Sequence, residues 1–378
     1  MAPKPALEGA TADQSPYGGR RLHPVPDTGT TPSIEDLAEP GRRVRLTPAS
    51  HIRLRPTYWA WDERMPYGAL TVGPGREGIG KSLFCAWLTA QVTLGTLPGV
   101  HQGTPKPVIY AATEDSWERT IAGRLVVAGA DMSMVYRVEV EQVGTAVPLS
   151  LPRDCDALAT EINRLGVALL VLDPLISAVD SRINVNQEEL RGALEPLAAL
   201  ADRTGCAIFG LAHFNKAGGT DVLSRITGSR AFAAVARAAI AFARDPNAAD
   251  GSCVLSQAKN NLGRLDLPSL RYIVESVSLD TEEGAGQWGR LVFLGETDTS
   301  VDDILNDSTD AHDRGEQDAA AAWLEDYLTV QGKAKSADAK KAGRAAGFAE
   351  RTLTRACKSL NVIVASEGFP RMTYWALP

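Results

Sequence analysis

Ala69-Leu70-Thr71-Val72, then Gly75-Arg76-Glu77-Gly78-Ile79-Gly80-Lys81-Ser82, then Leu83-Phe84-Cys85-Ala86-Trp87-Leu88-Thr89-Ala90 form one continuous statement in the chain. The first piece is short and apolar and predicts a strand. The last predicts a helix. A glycine-rich turn ending in Lys-Ser between strand and helix is the arrangement that cradles phosphate. The glycines let backbone N–H groups curl around an anion, and the helix N-terminus adds its positive end. Gly75, Gly78, Gly80, Lys81, Ser82 and Leu83 are thus the expected nucleotide contacts. Lys81 is expected to reach the β- and γ-phosphates and Ser82 to hold Mg²⁺, which makes ATP and Mg²⁺ the expected cofactors.

Working outward, apolar strand candidates recur at 69–73, 107–112, 135–138, 167–172, 206–211, 253–257 and 291–294. Helical segments are expected at 81–94, 116–129, 154–165, 187–203 and 230–239. Strands alternating with helices predict an α/β fold, a mostly parallel sheet with helices on both faces. Hairpin-like spacing of the last strands, around a polar turn at Thr281 to Gly286, predicts an antiparallel far edge.

Three further strand ends carry chemistry. Ala168-Leu169-Leu170-Val171-Leu172-Asp173 ends in a carboxylate at the edge where parallel sheets bind ligands. Asp173 is expected to hold the Mg²⁺ shell with Ser82. Val108-Ile109-Tyr110-Ala111-Ala112-Thr113-Glu114-Asp115 places Glu114 to polarise an attacking water; Asp115 reads as an N-cap for the helix that follows. Ala207-Ile208-Phe209-Gly210-Leu211-Ala212-His213 places His213 to sense the γ-phosphate. The loop after it, with Lys216 and Gly218-Gly219-Thr220-Asp221, is expected to face a nucleic-acid strand. Arg225, Arg230 and Lys259 are extra cations that one subunit does not need, since Lys81 already serves its phosphates. They suit insertion into a neighbour's site, with ordinary surface charge as the alternative.

The chain of 378 residues has a net charge of −7 and is 44% hydrophobic, enough for a large domain plus a small one. The acidic balance excludes a uniformly basic nucleic-acid coat. Five scattered cysteines without metal spacing read as buried thiols in a reduced compartment. No run of 18 apolar residues occurs, so no membrane partner and an intracellular, cytoplasmic location are expected. Four regions are expected: a flexible N-terminal arm at 1–50, a motor at 51–297, an acidic linker at 298–315 and a small domain at 316–378. Seven acidic residues between 298 and 316 support the linker.

The last region predicts a helix, a helix-turn-helix and a hairpin, the pattern of a winged helix. Between 333 and 371 nine Lys or Arg stand against three Asp or Glu, a balance of +6 in an acidic chain. Lys340, Arg351, Arg355 and Lys358 are the expected nucleic-acid contacts, with Thr352 and Thr354 on the same helix face. A winged helix that binds protein is the alternative.

Together these motifs resemble the RecA-fold ATPases over roughly 57–297, and within them the hexameric RepA-type replicative helicases and their phage and plasmid relatives. Glu114, Asp173, His213 followed by Lys216, Gly228-Ser229 before Arg237, and Lys259-Asn260-Asn261 carry the resemblance. RecA-like recombinases and other ATPases share the same core. The C-terminal module is similar to that of phage and actinobacterial replication ATPases. The resemblance implies a homo-hexameric ring on single-stranded DNA, with duplex DNA or a replication protein at the winged helix. A second basic residue is common two places after the lysine in related rings. Here Asn261 stands there, so Arg225 or Arg230 is left to supply the second finger. A nucleotide-switched DNA-binding or recombination-mediating ATPase, and a helicase loader or scaffold, are the alternative functions.

Overall fold

The structure is a computed structural model that describes residues 45–184, 188–215, 222–226, 229–367 and 372–378. The chain divides into Met1–Arg55 and Pro56–Pro378. Of the first unit, residues 45–55 are described. They are exposed and contain one short helical turn, Ala49–His51. Most of the expected arm, residues 1–44, lies outside the described residues, as do Lys216 and the loop around it.

In the second unit a small ribbon comes first, β1 (Trp59–Trp61) with β2 (Met65–Pro66). β3 (Leu70–Gly75) leads through the glycine turn to α1 (Lys81–Leu94) and then β4 (Val108–Ala112). α2 (Ala122–Ala128) follows a π-helical turn at Trp117–Ile121. Next come β5 (Val135–Arg137), the small hairpin of β6 (Val140–Gln142) and β7 (Thr145–Val147), and α3 (Cys155–Leu165). β8 (Leu169–Asp173), α4 (Glu188–Thr204), β9 (Ala207–His213), α5 (Ser229–Val235) and β10 (Ala238–Arg244) continue the alternation. β11 (Cys253–Asn260), β12 (Ser269–Thr281) and β13 (Gly284–Thr297) complete a nine-stranded sheet of order β13-β12-β11-β10-β3-β9-β8-β4-β5.

From β10 to β5 the strands are parallel; β11, β12 and β13 are antiparallel additions, as the hairpin spacing predicts. Side chains alternate between two cores with the two-residue period of a strand. Leu70, Val72, Ile109, Leu170, Leu172 and Ile208 join α3, α4 and α5 on one face. Val108, Tyr110, Leu169, Val171, Phe209 and Leu211 join α1 and α2 on the other. Burial of both faces explains why the strands read as unbroken apolar runs.

One central strand differs from expectation. The predicted helix at 230–239 ends at Val235, and Ala238–Arg244 is β10, beside β3. Arg237 therefore lies in the turn, its N–H bonded to the Leu70 carbonyl at 2.9 Å. Alanine favours helix in isolation, but this segment completes the hydrogen bonds of β3 and β11.

The expected linker is also corrected. Residues from Val301 onward form α6 (Val301–Gln331), one continuous helix. Ser300 accepts from the Asp303 N–H, and Asp303 accepts from the Ser300 N–H at 2.9 Å, a reciprocal cap. The acidic residues that suggested a linker include Asp302 and Asp303 in the first turn, where the helix dipole favours negative charge. Val301, Ile304 and Leu305 bury against Ala241, Ala243 and Val254.

The far end of α6 packs Ala320, Leu324 and Leu328 against Ala339 of α7 (Ser336–Ala345), Ala356 of α8 (Glu350–Ser359) and Trp375. A three-stranded sheet closes this module: β14 (Lys333–Lys335), β16 (Met372–Ala376) and β15 (Ile363–Glu367), with β16 in the middle. β14 had no counterpart in the sequence expectation because three residues, two of them lysines, carry no apolar run.

Candidate active site

β3 ends at Gly75, where any side chain would collide: an added Cβ would lie 2.9 Å from the Phe242 carbonyl oxygen on β10. Gly80 caps α1 with φ +90°, a conformation that favours glycine. Between them the turn closes on itself through Lys81. The ammonium donates to the Gly75 carbonyl at 2.9 Å and the Arg76 carbonyl at 2.6 Å. Burial pulls the Lys81 pKa down to about 8, against the opposing pull of Asp173 and Glu77.

The carboxyl ends of β3, β9, β8 and β4 lie side by side in the sheet, so residues far apart in sequence meet at one edge. A cleft of about 420 Å³ opens there, lined among others by Gly80, Lys81, Ser82, Glu114, Asp173 and His213. Gly78 and Leu83 border it too, whereas Gly75 lies beneath it in the strand.

Asp173 is buried at the end of β8 and receives two hydroxyls. Ser82 Oγ donates to Oδ1 at 3.2 Å and Tyr110 OH to Oδ2 at 2.8 Å. Burial raises the Asp173 pKa above its ordinary value; the two hydroxyls and the Arg124 guanidinium oppose that shift. Glu114, just past β4, is exposed to the cleft and accepts from Ser177 Oγ at 2.7 Å. His213 closes β9 with a buried Nδ1 that finds no hydrogen-bond partner among the described residues.

This donor set fits a magnesium–nucleotide complex. Mg²⁺ is held by one or two protein oxygens together with water and substrate phosphates rather than by an all-protein cage. One buried carboxylate beside one hydroxyl supplies that much. No cluster of three or more His, Cys, Asp or Glu suited to a metal occurs among the described residues.

Several features of the cleft were not legible in the sequence. Tyr110 sits inside an apolar strand where its ring reads as core. Arg124 lines the cleft from α2 and pairs with Asp115 at 2.7 Å. Asp115 is thereby not the expected N-cap; Ser116 takes that role, its side chain accepting from the Arg119 N–H at 3.2 Å. Gly289 of β13 borders the cleft, and neighbouring Trp288 donates from Nε1 to the Arg119 carbonyl at 3.1 Å. The long hairpin thus reaches from the sheet's far edge to the turn before α2.

Two of the cations proposed to act on a neighbour, Arg225 and Lys259, do not line this cleft. Arg225 is buried and donates to the Leu305 carbonyl of α6 at 3.2 Å, so its guanidinium points inward rather than to a subunit surface. Lys259 donates to the Ala233 carbonyl and, at 2.7 Å, to the Ala236 carbonyl at the end of α5. Because β11 is antiparallel to β10, Lys259 pairs with Ala239, which in turn pairs with Val72 near the start of β3. It therefore lies toward the opposite sheet edge from Gly75, about 10 Å back along the strand. Nothing is described of the Arg230 and Arg351 side chains. On α8, Thr354 and Lys358 are exposed while Thr352 and Arg355 are half-buried. Lys340 pairs with Glu350 at 2.6 Å.

Residues 40–219 match the family model of an AAA domain. An AAA-family P-loop ATPase domain is therefore present over roughly that span, and it supports a general ATP-binding and ATP-hydrolysing function. Lys81, Ser82, Glu114, Asp173 and His213 fall inside it; β10 to β13 and the C-terminal module fall outside. No curated protein matches the chain. Among the described residues no helix is long and apolar enough to cross a membrane.

Proposed function

We propose that the chain is a RecA-like, ring-forming ATPase that moves along single-stranded DNA, with a C-terminal winged helix that engages duplex DNA or a replication partner. The convergence of Lys81, Ser82, Glu114, Asp173 and His213 on one sheet edge carries this reading. Lys81 binds the β- and γ-phosphates after leaving the Gly75 and Arg76 carbonyls. Ser82 and Asp173 hold Mg²⁺, which when bound neutralises charge on those phosphates. Glu114 takes a proton from the attacking water while Ser177 fixes its orientation.

His213 reports the γ-phosphate through its unpartnered nitrogen. The segment after it supports a link to DNA: Phe214 bridges to Ile226, and the Asn215 N–H bonds to the Arg225 carbonyl at 2.6 Å. Those contacts bring Asn215 and Arg225 together at the two ends of the stretch that contains Lys216. The winged-helix reading is supported by three helices against a three-stranded sheet and by the module's +6 balance.

A second reading, a nucleotide-switched DNA-binding ATPase without unwinding, is favoured by the internal engagement of Arg225 and Lys259. Imaging of the full chain with a slowly hydrolysed ATP analogue, with and without single-stranded DNA, separates the two. Closed six-membered rings, with hydrolysis stimulated by single strands, are expected. Filaments or monomers that bind duplex DNA alone would overturn the motor reading.

A further inference from the structure

The geometry points to Tyr110 as a positioning residue for the divalent cation: its phenol fixes Asp173 Oδ2 and leaves Oδ1 for Ser82 and the water shell of the metal. This rests on reading the cleft as a magnesium–nucleotide site. Tyr110 is 1% exposed on β4, and its hydroxyl donates to Asp173 Oδ2 at 2.8 Å. The strand register explains the meeting. Tyr110 pairs with Val171 and Ala112 with Asp173, so Tyr110 and Asp173 lie on the same α1-facing side, two residues apart along the sheet. Trp117 packs edge-on against the Tyr110 ring with centroids 6.0 Å apart, which holds the phenol in place.

A phenylalanine would fill the same space in this apolar strand. The hydroxyl is the additional feature, and a buried hydroxyl needs a partner. A carboxylate's terminal torsion is broad and roughly two-fold. Donors on both oxygens remove that freedom. When Ser82 turns from Asp173 toward a metal, Tyr110 remains as the donor that keeps the carboxylate plane. Groups that orient a metal-binding side chain in this way contribute about 10- to 100-fold in metal affinity.

Tyr110→Phe in the full chain tests this, because the ring and its contact with Trp117 remain. Binding of Mn²⁺ in the presence of ADP, read by electron paramagnetic resonance, is expected to weaken about 10-fold or more. Binding of a fluorescent ADP without metal is expected to stay within about twofold, since the tyrosine acts through Asp173. In an Asp173→Asn background the same change is expected to add nothing. Tyr110→4-aminophenylalanine, which restores a donor, is expected to recover Mn²⁺ affinity and covers the case in which the phenylalanine variant does not fold. Unchanged Mn²⁺ affinity in folded Tyr110→Phe, or equal losses with and without metal, overturns the proposal. Absence of nucleotide-dependent Mn²⁺ binding in the unsubstituted chain would instead overturn the reading of the cleft itself.

Discussion

Glu114 and Asp173 are both carboxylates at strand ends, and their surroundings set them apart. Asp173 is buried between two hydroxyls, whereas Glu114 is exposed and held by one. An exposed carboxylate is within reach of water, as a general base must be. Glu114→Gln keeps an oxygen for Ser177 to donate to, so it removes basicity with little change in geometry. Turnover is expected to fall roughly 100-fold or more, with ATP affinity retained. Rapid-quench turnover alongside equilibrium ATP binding reads both quantities. A parallel loss of affinity would mark Glu114 as a structural residue. Glu114 was legible because a strand-end acid is conspicuous in sequence. Tyr110 and Arg124 were not, because their roles depend on which strand and helix lie alongside.

At the scale of elements, α6 shows how local chemistry overrides composition. Acidic residues and lost periodicity suggest a linker, yet Ser300 and Asp303 make a reciprocal cap and the first turn is anchored on the sheet. The Val301 N–H donates to Ser256 Oγ at 2.9 Å, and the Val222 N–H donates to Asp302 at 3.1 Å. Loss of an N-cap hydroxyl costs about 1 kcal/mol, so Ser300→Ala is expected to speed amide exchange in the first turn about fivefold. The Ser300 hydroxyl and N–H hold the Asp303 carboxyl below its ordinary 3.8. A carboxyl depressed in the folded state stabilises it above the unfolded value and loses that contribution as pH falls through the folded value. The ¹³Cα shifts of 301–304 are therefore expected to stay helical down to about pH 4 and to lose helicity below it. The acid-induced change should be smaller in Ser300→Ala. An identical titration in both proteins would remove the cap from the account.

For the whole molecule, sheet topology decides which cations share a site. Lys81 stands at the carboxyl edge of the parallel strands, and Lys259 lies toward the other edge because β11 runs antiparallel. One chain does not bring both to the same phosphates. Lys259 also satisfies the carbonyls at the end of α5, a role worth a few tenths to about 1 kcal/mol at a helix C-terminus. Mixing subunits separates that cap from an action on a neighbour. Lys81→Ala and Lys259→Ala are each expected to lose turnover. If Lys259 serves an adjacent subunit, mixed assemblies are expected to regain part of it at interfaces pairing an intact Lys81 with an intact Lys259. A role confined to capping α5 predicts turnover no higher than the two variants summed, in assemblies shown to exchange subunits.

The sequence by itself determined the phosphate loop, the alternation of strands and helices, and the acids that end β4 and β8. Each follows from spacing along a few residues, where glycine freedom, side-chain period and strand length act locally. Tertiary structure decided the rest. β10 is alanine-rich and looks helical until β3 and β11 supply its hydrogen bonds. Asp115 reads as a cap until Arg124 comes within 2.7 Å of it across nine residues. Arg225 reads as a free finger until α6 folds over it. The reason is common to all three: a hydrogen bond or salt bridge between distant residues depends on which elements become neighbours, and burial of two faces of one sheet makes that choice.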